Sequence, residues 1–174
     1  MRTVKTVIQD TLTLRPLIEA DVTDRYLAWF RDEKVTCYIE AHNLTRQDVI
    51  NYIHHQKDDE YFMYAIIVAK HIGNLKIGPI QWRHELSDLV TVIGDRDYWG
   101  KGCATEAIRQ GISIAWGMGL RKLSAGIWSE NIGSIKAYTK AGFVVEGILK
   151  NHYIDHNGNL QDRVCISIWN PACK

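Results

Sequence analysis

Two glycines flank a lysine in the run Trp99-Gly100-Lys101-Gly102-Cys103-Ala104-Thr105, and helix-forming residues follow directly. A glycine loop that opens a helix suits a phosphate. The first main-chain N–H groups of a helix have no partner, its dipole is positive there, and glycine lets a ligand approach the backbone. A P-loop needs G-x-x-x-x-G-K-[ST]. Here five residues separate Gly94 from Gly100, and Gly102 follows Lys101 where Ser or Thr is required. A dinucleotide fingerprint, G-x-G-x-x-G, needs a third glycine where this chain has Thr105, and a βαβ unit around it. Neither fits. What remains is a helix-end anion site of another kind, or a glycine turn that only caps the helix.

A second stretch, NIGSIKAYTKAGF from Asn131 to Phe143, begins 29 residues after Gly102. At about 100° per residue, Asn131 and Tyr138 differ by two turns less about 20°, with Ser134 about 60° away, so all three share one helix face. One face can meet one ligand. The two stretches together resemble the GCN5-related N-acetyltransferases, the GNAT family. The loop is similar to that family's [QR]-x-x-G-x-[GA] acyl-CoA motif, with Trp99 departing from Gln or Arg as in the RimJ/RimL-type branch. Asn131 to Phe143 is similar to its N-x-x-[AS]-x-x-x-Y-x-K-x-G-F signature, and the resemblance runs from about Ile72 to Trp169.

The resemblance implies a GNAT fold, acetyl-CoA as cofactor and direct acetyl transfer to a primary amine of a small metabolite or a protein N-terminus. Relatives of this kind also act on polyamines, amino-sugar nucleotides and antibiotics, and a non-catalytic acyl-CoA-binding module is the competing class. It assigns the loop from Trp99 to Thr105, including Gly100, Lys101, Gly102, Cys103 and Ala104, to the diphosphate of coenzyme A. Asn131, with Ser134 beside it, falls to the pantetheine arm, and Tyr138 to the thioester sulfur. The fourth strand, at Val92, Ile93 and Gly94, pairs with pantetheine and offers an N–H to the oxyanion. It is expected to splay from the fifth strand, Leu123 to Trp128.

Such a reaction needs a neutral amine, a stabilised oxyanion and a proton for the leaving thiolate. Tyr138 suits the last task, since a phenol with pKa about 10 stays protonated at neutral pH. A lysine-like amine is neutral in only about 1 molecule in 2,500 at pH 7, a cost of about 4.6 kcal/mol, whereas an α-amine near pKa 8 costs about 1.4 kcal/mol. The base candidates are Glu40 and His42, in YIEAHN, and His84 and Glu85, after Trp82, with Glu40 and His84 favoured and a water relay as the alternative. Tyr26, Trp29, Tyr38, His42, His152, Tyr153 and His156 are the aromatic residues expected in the segments around the acceptor, with Tyr26 and Trp29, three apart on a helix, expected to be packing residues, and no acidic cluster suggests a tightly held polyamine.

The elements that must position these residues read as a mixed α/β domain spanning 1–174. A strand at TLTLRPL from Thr11 precedes helices at Asp21–Arg31, capped by Asp21 or Thr23, and at Thr45–Lys57, capped by Thr45. Strands from Tyr61, Leu75 and Leu89 form an antiparallel meander, with turn chemistry at Gly73-Asn74 and Ser87-Asp88, and Pro79 requires a bulge or an edge. Small and apolar residues recur along one stripe between Ala104 and Met118, the strongest helix of the chain. A strand from Leu123, a helix Asn131–Ala141 closed by Gly142, and strands Phe143–Leu149 and Val164–Trp169, joined through a turn at His156, complete it.

With 21 Lys+Arg against 20 Asp+Glu, the net charge of +1 gives no field to attract nucleic acid or an anionic membrane. Because MRTVKTVIQD alternates charge with short apolar pieces, neither a signal peptide nor a membrane span is expected. Cys37, Cys103, Cys165 and Cys173 lack metal-ligand spacing, so no metal is expected, and four free thiols suit the cytoplasm. An exposed edge near the last strands makes a homodimer a candidate.

Overall fold

The computed structural model describes residues 12–55 and 60–173. The N-terminal segment, Thr11 at the start of the first expected strand, and Gln56 and Lys57 at the end of the second expected helix lie outside the described residues.

Among the described residues, seven strands form one sheet: β1 (Thr13–Pro16), β2 (Phe62–Val68), β3 (Lys70–Gln81), β4 (Leu86–Ile93), β5 (Lys122–Trp128), β6 (Val144–Ile154) and β7 (Leu160–Trp169). Their order is β1-β2-β3-β4-β5-β7-β6. All neighbours are antiparallel except β4 and β5, which are parallel and paired only at Leu86↔Lys122, Ser87↔Leu123 and Asp88↔Ser124. Beyond Asp88 the two strands part. β4 stays with β3 as far as Gly73↔Ile93, and β5 stays with β7 as far as Trp128↔Arg163. A wedge therefore opens in the middle of the sheet, where main-chain groups of both strands lack a sheet partner.

Helices cover both faces. Helices α4 (Cys103–Gly117) and α5 (Ile132–Ala141) pack on one, with Ala107, Ile108, Ala115, Tyr138 and Phe143 buried against Leu75, Ile77, Leu89 and Leu123. Gly111 lets α4 sit close, since a Cβ there would stand 2.8 Å from Leu75 Cδ1. The other face carries α1 (Asp24–Trp29), α2 (Glu33–Thr36) and α3 (Arg46–His54), whose Tyr26, Leu27, Trp29 and Val49 are buried with Ala65 of β2.

Several expectations are corrected. The first helix is shorter than Asp21–Arg31, because the Asp21 carboxylate is taken by Arg15, at 2.6 and 2.7 Å, and by the Ile18 N–H. Thr23 is the cap, accepting from the Tyr26 N–H at 3.2 Å. Gly73-Asn74 is no turn but lies inside β3. A Cβ at Gly73 would stand 2.2 Å from Val92 O, so glycine there permits close strand approach, and Asn74 is buried and donates to Tyr26 Oη. The reversal between β2 and β3 occurs earlier in the chain, at Ala69, which has φ 55°. Ser87-Asp88 likewise lies inside β4, and the turn before it runs through Trp82–His84 to Glu85 at φ 53°. Pro79 does sit at a bulge, between Ile77 and Ile80, after a cis Gly78-Pro79 bond, but in an internal strand. β6 extends to Ile154, beyond the Leu149 expected from the sequence, and the turn at His156 is built on Asp155, whose Oδ1 accepts from the N–H groups of Asn157 and Asn159.

Candidate active site

The wedge between β4 and β5 deepens into a cleft of about 780 Å³ lined by Leu89 to Val92 on one side, Ala125 to Trp128 on the other, and Asn131, Ser134 and Tyr138 of α5. The three α5 residues thus share one wall, as helical spacing requires. Asn131 is also the N-cap of α5, its Oδ1 accepting from the Ser134 N–H at 3.1 Å. Tyr138 lies on the buried side of α5 and its phenol donates to Leu89 O at 2.7 Å, the first carbonyl past the end of the β4/β5 ladder. Burial pushes this phenol well above its ordinary pKa, outweighing the neighbouring Thr91 hydroxyl and N–H that pull it back. It is protonated at every pH at which the protein would be assayed. Thr91 Oγ1 is itself buried with no partner of hydrogen-bond geometry among the described residues.

Strand alternation decides which main-chain groups of β4 face the wedge. Leu89 O points there, toward Tyr138, and Ile93 O does too, accepting from Trp99 Nε1 at 2.7 Å. Thr91 and Ile93 N–H groups share that side. The Gly94 N–H points the other way and is held by Ile72 O at 3.0 Å. Of the expected oxyanion donors Val92, Ile93 and Gly94, only Ile93 presents its N–H to the gap, and Thr91, which the sequence reading omitted, joins it.

The glycine loop is tied to the end of β4 by the Trp99 Nε1–Ile93 O bond. Gly102 caps α4 with φ 86° and no side-chain hydrogen bond, so the N–H groups of Cys103, Ala104 and Thr105 keep no capping partner among the described residues. Gly100 has φ 70°, and a Cβ at either glycine would meet nothing within 4 Å. Glycine is needed for the left-handed backbone, while the space outside stays open for an anion. Lys101 is exposed with Nζ 5.6 Å from the Tyr98 ring centroid, and the Cys103 side chain is buried in the core, so Cys103 can offer only its backbone. These features fit coenzyme A: an uncapped helix end for the diphosphate, and unpaired strand groups with an orphan hydroxyl along the wedge.

On the opposite side of the sheet the cleft is walled by Tyr26, Tyr38, Glu40 and Tyr153. Tyr153 stacks on Trp128 at 4.5 Å and 4°. Glu40 is exposed at the rim between this cleft and a smaller recess of about 480 Å³ that holds His42, His152 and His156. His84 is not brought to the site: it stands exposed in the turn before β4, at the paired end of the strand and away from the wedge. Trp29 is a packing residue, pressed on Gly94 so closely that a Cβ there would clash with its ring. The sequence reading missed Asp88 and Arg163. Asp88 is the last β4 residue of the ladder and faces the cleft. Burial raises its carboxyl pKa, against the opposing pull of Arg163 and Lys76. Its position just before a strand departs was the one available signal.

A model of the GNAT acetyltransferase domain family matches residues 11–144, about three quarters of the chain. The chain belongs to the GNAT acetyltransferases. Among curated proteins, this GNAT chain is 28% identical over 130 residues to a probable N-acetyltransferase, YjcK, of Bacillus subtilis, covering 72% of this chain and 71% of the relative. It is 27% identical over 173 residues to an uncharacterised N-acetyltransferase, p20, of Bacillus licheniformis, covering 94% and 96%. Its fold is similar to that of a spermidine N-acetyltransferase from Vibrio cholerae solved with CoA and spermine, at TM-score 0.83, 22% identity and coverage of 92% and 96%. A ribosomal-protein-S5-alanine acetyltransferase from Vibrio fischeri aligns at TM-score 0.81, 19% identity and coverage of 94% and 96%. The GNAT enzyme is an acyltransferase, and its cofactor is acetyl-CoA. No helix among the described residues is long and apolar enough to cross a membrane.

Proposed function

We propose that this GNAT enzyme transfers acetyl directly to the primary amine of a small metabolite or a peptide N-terminus, with Tyr138 donating a proton to the departing thiolate. One observation carries the reading: the buried Tyr138 phenol closes the apex of the wedge, bonded to Leu89 O where the β4/β5 ladder ends. Acetyl-CoA, when bound, supplies the acetyl group as a thioester. Main-chain N–H groups of Cys103, Ala104 and Thr105, with Gly100, Lys101 and Gly102 before them, hold the diphosphate. Asn131 and Ser134 line the arm's path, and the Thr91 and Ile93 N–H groups stabilise negative charge on the carbonyl oxygen. For Tyr138 to act, its hydroxyl rotates from Leu89 O toward the sulfur.

Thiol release by the purified chain, measured with peptides, amino acids, amino-sugar nucleotides, polyamines and aminoglycosides, tests the reading. Amine-dependent release supports it. Release from none of these, or tight ATP binding in calorimetry without acetyl-CoA binding, refutes it. The site belongs to a cytoplasmic enzyme on this reading, since Cys37, Cys103, Cys165 and Cys173 are all free thiols. We also propose a homodimer through β6. This edge strand exposes Val144, Val145, Ile148, Leu149 and Ile154 at 46–69% of their surface, an apolar edge of the kind that monomers avoid.

A further inference from the structure

Asp88 and Arg163 bring opposite charges to the same wedge and do not meet there. The Asp88 side chain accepts no hydrogen bond and makes no ion pair among the described residues. Arg163 enters from β7 and lays its guanidinium across Gly126 of β5, so closely that a Cβ at Gly126 would stand 2.0 Å from its Nε. That Nε is buried without a partner, and the nearest polar contact of the group is Nη1 to His152 Nε2, at 3.4 Å. Thr91 Oγ1 and Arg163 Nε are the two buried side-chain polar atoms without a partner among the described residues, and both residues line this one cleft. Unpartnered polar groups in a cavity mark where a ligand's own polar groups belong.

The charges around Asp88 come from several elements: Arg163 of β7, Lys76 of β3, and the phenols of Tyr138 of α5 and Tyr153 of β6. Lys76 donates to Tyr52 Oη at 3.3 Å. The other acids lining the cleft are Asp48 and Glu40, and the Asp48 carboxylate is engaged by the N–H and hydroxyl of Thr45. A linear polycation would thus meet two cations, with Asp88 inside the cleft and Glu40 at its exposed rim as the unengaged carboxylates. A ligand with an ammonium and an anion satisfies both charges.

We infer that the acceptor is an amine carrying a carboxylate or phosphate close to its nitrogen, with the ammonium on Asp88 and the anion on Arg163. This deepens the acetyl-transfer reading and rests on it. Asp88 takes one ammonium proton and returns it to solvent. The freed nitrogen lone pair forms the C–N bond as the C–S bond breaks, and the sulfur keeps that bond's electrons and takes the Tyr138 proton. The second nitrogen proton replaces that of Tyr138 through water.

Matched pairs test the inference: phenylalanine with phenethylamine, histidine with histamine, ornithine with putrescine, phosphoethanolamine with ethanolamine, and spermidine as a polycation. The expected result is a kcat/KM at least tenfold higher for the anionic member of one or more pairs, and the responding pair separates carboxylate from phosphate. Arg163→Gln should collapse that ratio toward one by raising KM for the anionic member, and Arg163→Lys should restore part of it, with acetyl-CoA calorimetry confirming that each variant is folded. Preference for spermidine or for the anion-free member in every pair, or a ratio unmoved by Arg163→Gln, overturns the inference while leaving acetyl transfer standing. Failure of every amine sinks both, and failure of acetyl-CoA to bind identifies the broader reading as the one at fault.

Discussion

Replacing Tyr138 with phenylalanine removes one oxygen from the apex of the wedge and separates two consequences. The structural one is a lost hydrogen bond to Leu89 O, measured at 2.7 Å inside the protein, which leaves that carbonyl unsatisfied. Such a loss costs about 1–3 kcal/mol of stability. The catalytic one is loss of the proton donor. A bulk phenol at pKa about 10 giving its proton to a thiolate whose conjugate acid resembles cysteine, at about 8.5, already works about 2 kcal/mol uphill. Burial makes the Tyr138 proton harder still to remove, so transfer must accompany C–S cleavage rather than follow it. Positioned acids of this kind contribute about 10²–10⁴-fold. Thiol-release kcat should fall by that factor in the variant, while calorimetric acetyl-CoA affinity changes little and urea unfolding reports the stability loss separately. Because the folded phenol stays protonated, the wild-type profile should show no basic limb from Tyr138 below about pH 10. A folded Tyr138→Phe protein with kcat within about threefold of wild type would refute this role, since no acid effect of the expected size remains.

Gly102→Ala forces a Cβ into φ 86° at the start of α4 with nothing nearby to clash, so strain of about 1–2 kcal/mol and a weaker acetyl-CoA affinity are expected, read by thermal melting and calorimetry. For Asp21, burial pushes the carboxyl up, but the Arg15 hydrogen bond and the Ile18 N–H outweigh it and the folded pKa is lowered. Its contribution to stability is therefore present above the unfolded value of about 3.9 and lost as pH falls through the lower folded value. Urea unfolding from pH 5 to pH 3 should show that loss in the wild type, and Arg15→Gln should flatten it. Ile148→Asp, on the exposed face of β6, should convert a dimer to a monomer in light scattering with folding retained; a wild-type mass of one chain would end the dimer proposal.

The parts of the site legible in the sequence are those whose geometry is local. The glycine loop that opens α4 and the shared face of Asn131, Ser134 and Tyr138 follow from glycine chemistry and helical period, which operate within a dozen residues. Asp88 and Arg163 were illegible because nothing in their own neighbourhoods joins them. The divergence of β4 from β5 and the missing side chain at Gly126 bring them to one cleft without joining them. The misplaced turns have a related cause: Gly73-Asn74 carries turn chemistry, yet Asn74 is consumed by its bond to Tyr26 and Gly73 by the approach of β4. Tertiary partners overrode a local preference. His84 is a base candidate by residue type alone, and a type says nothing about which end of a strand it occupies.

Only three residue pairs stitch β4 to β5, so the sheet is in effect two panels, β1 to β4 and β5 to β7, hinged along a short seam. An occupant of the wedge does the work of an absent strand, tying the panels through the amides that neither can satisfy alone. Amide exchange at Thr91 and Ile93 should be fast in the empty protein and slow markedly once coenzyme A is added, with a higher midpoint of unfolding. The chain's lifetime in a cell would then track the abundance of the very thioester it consumes.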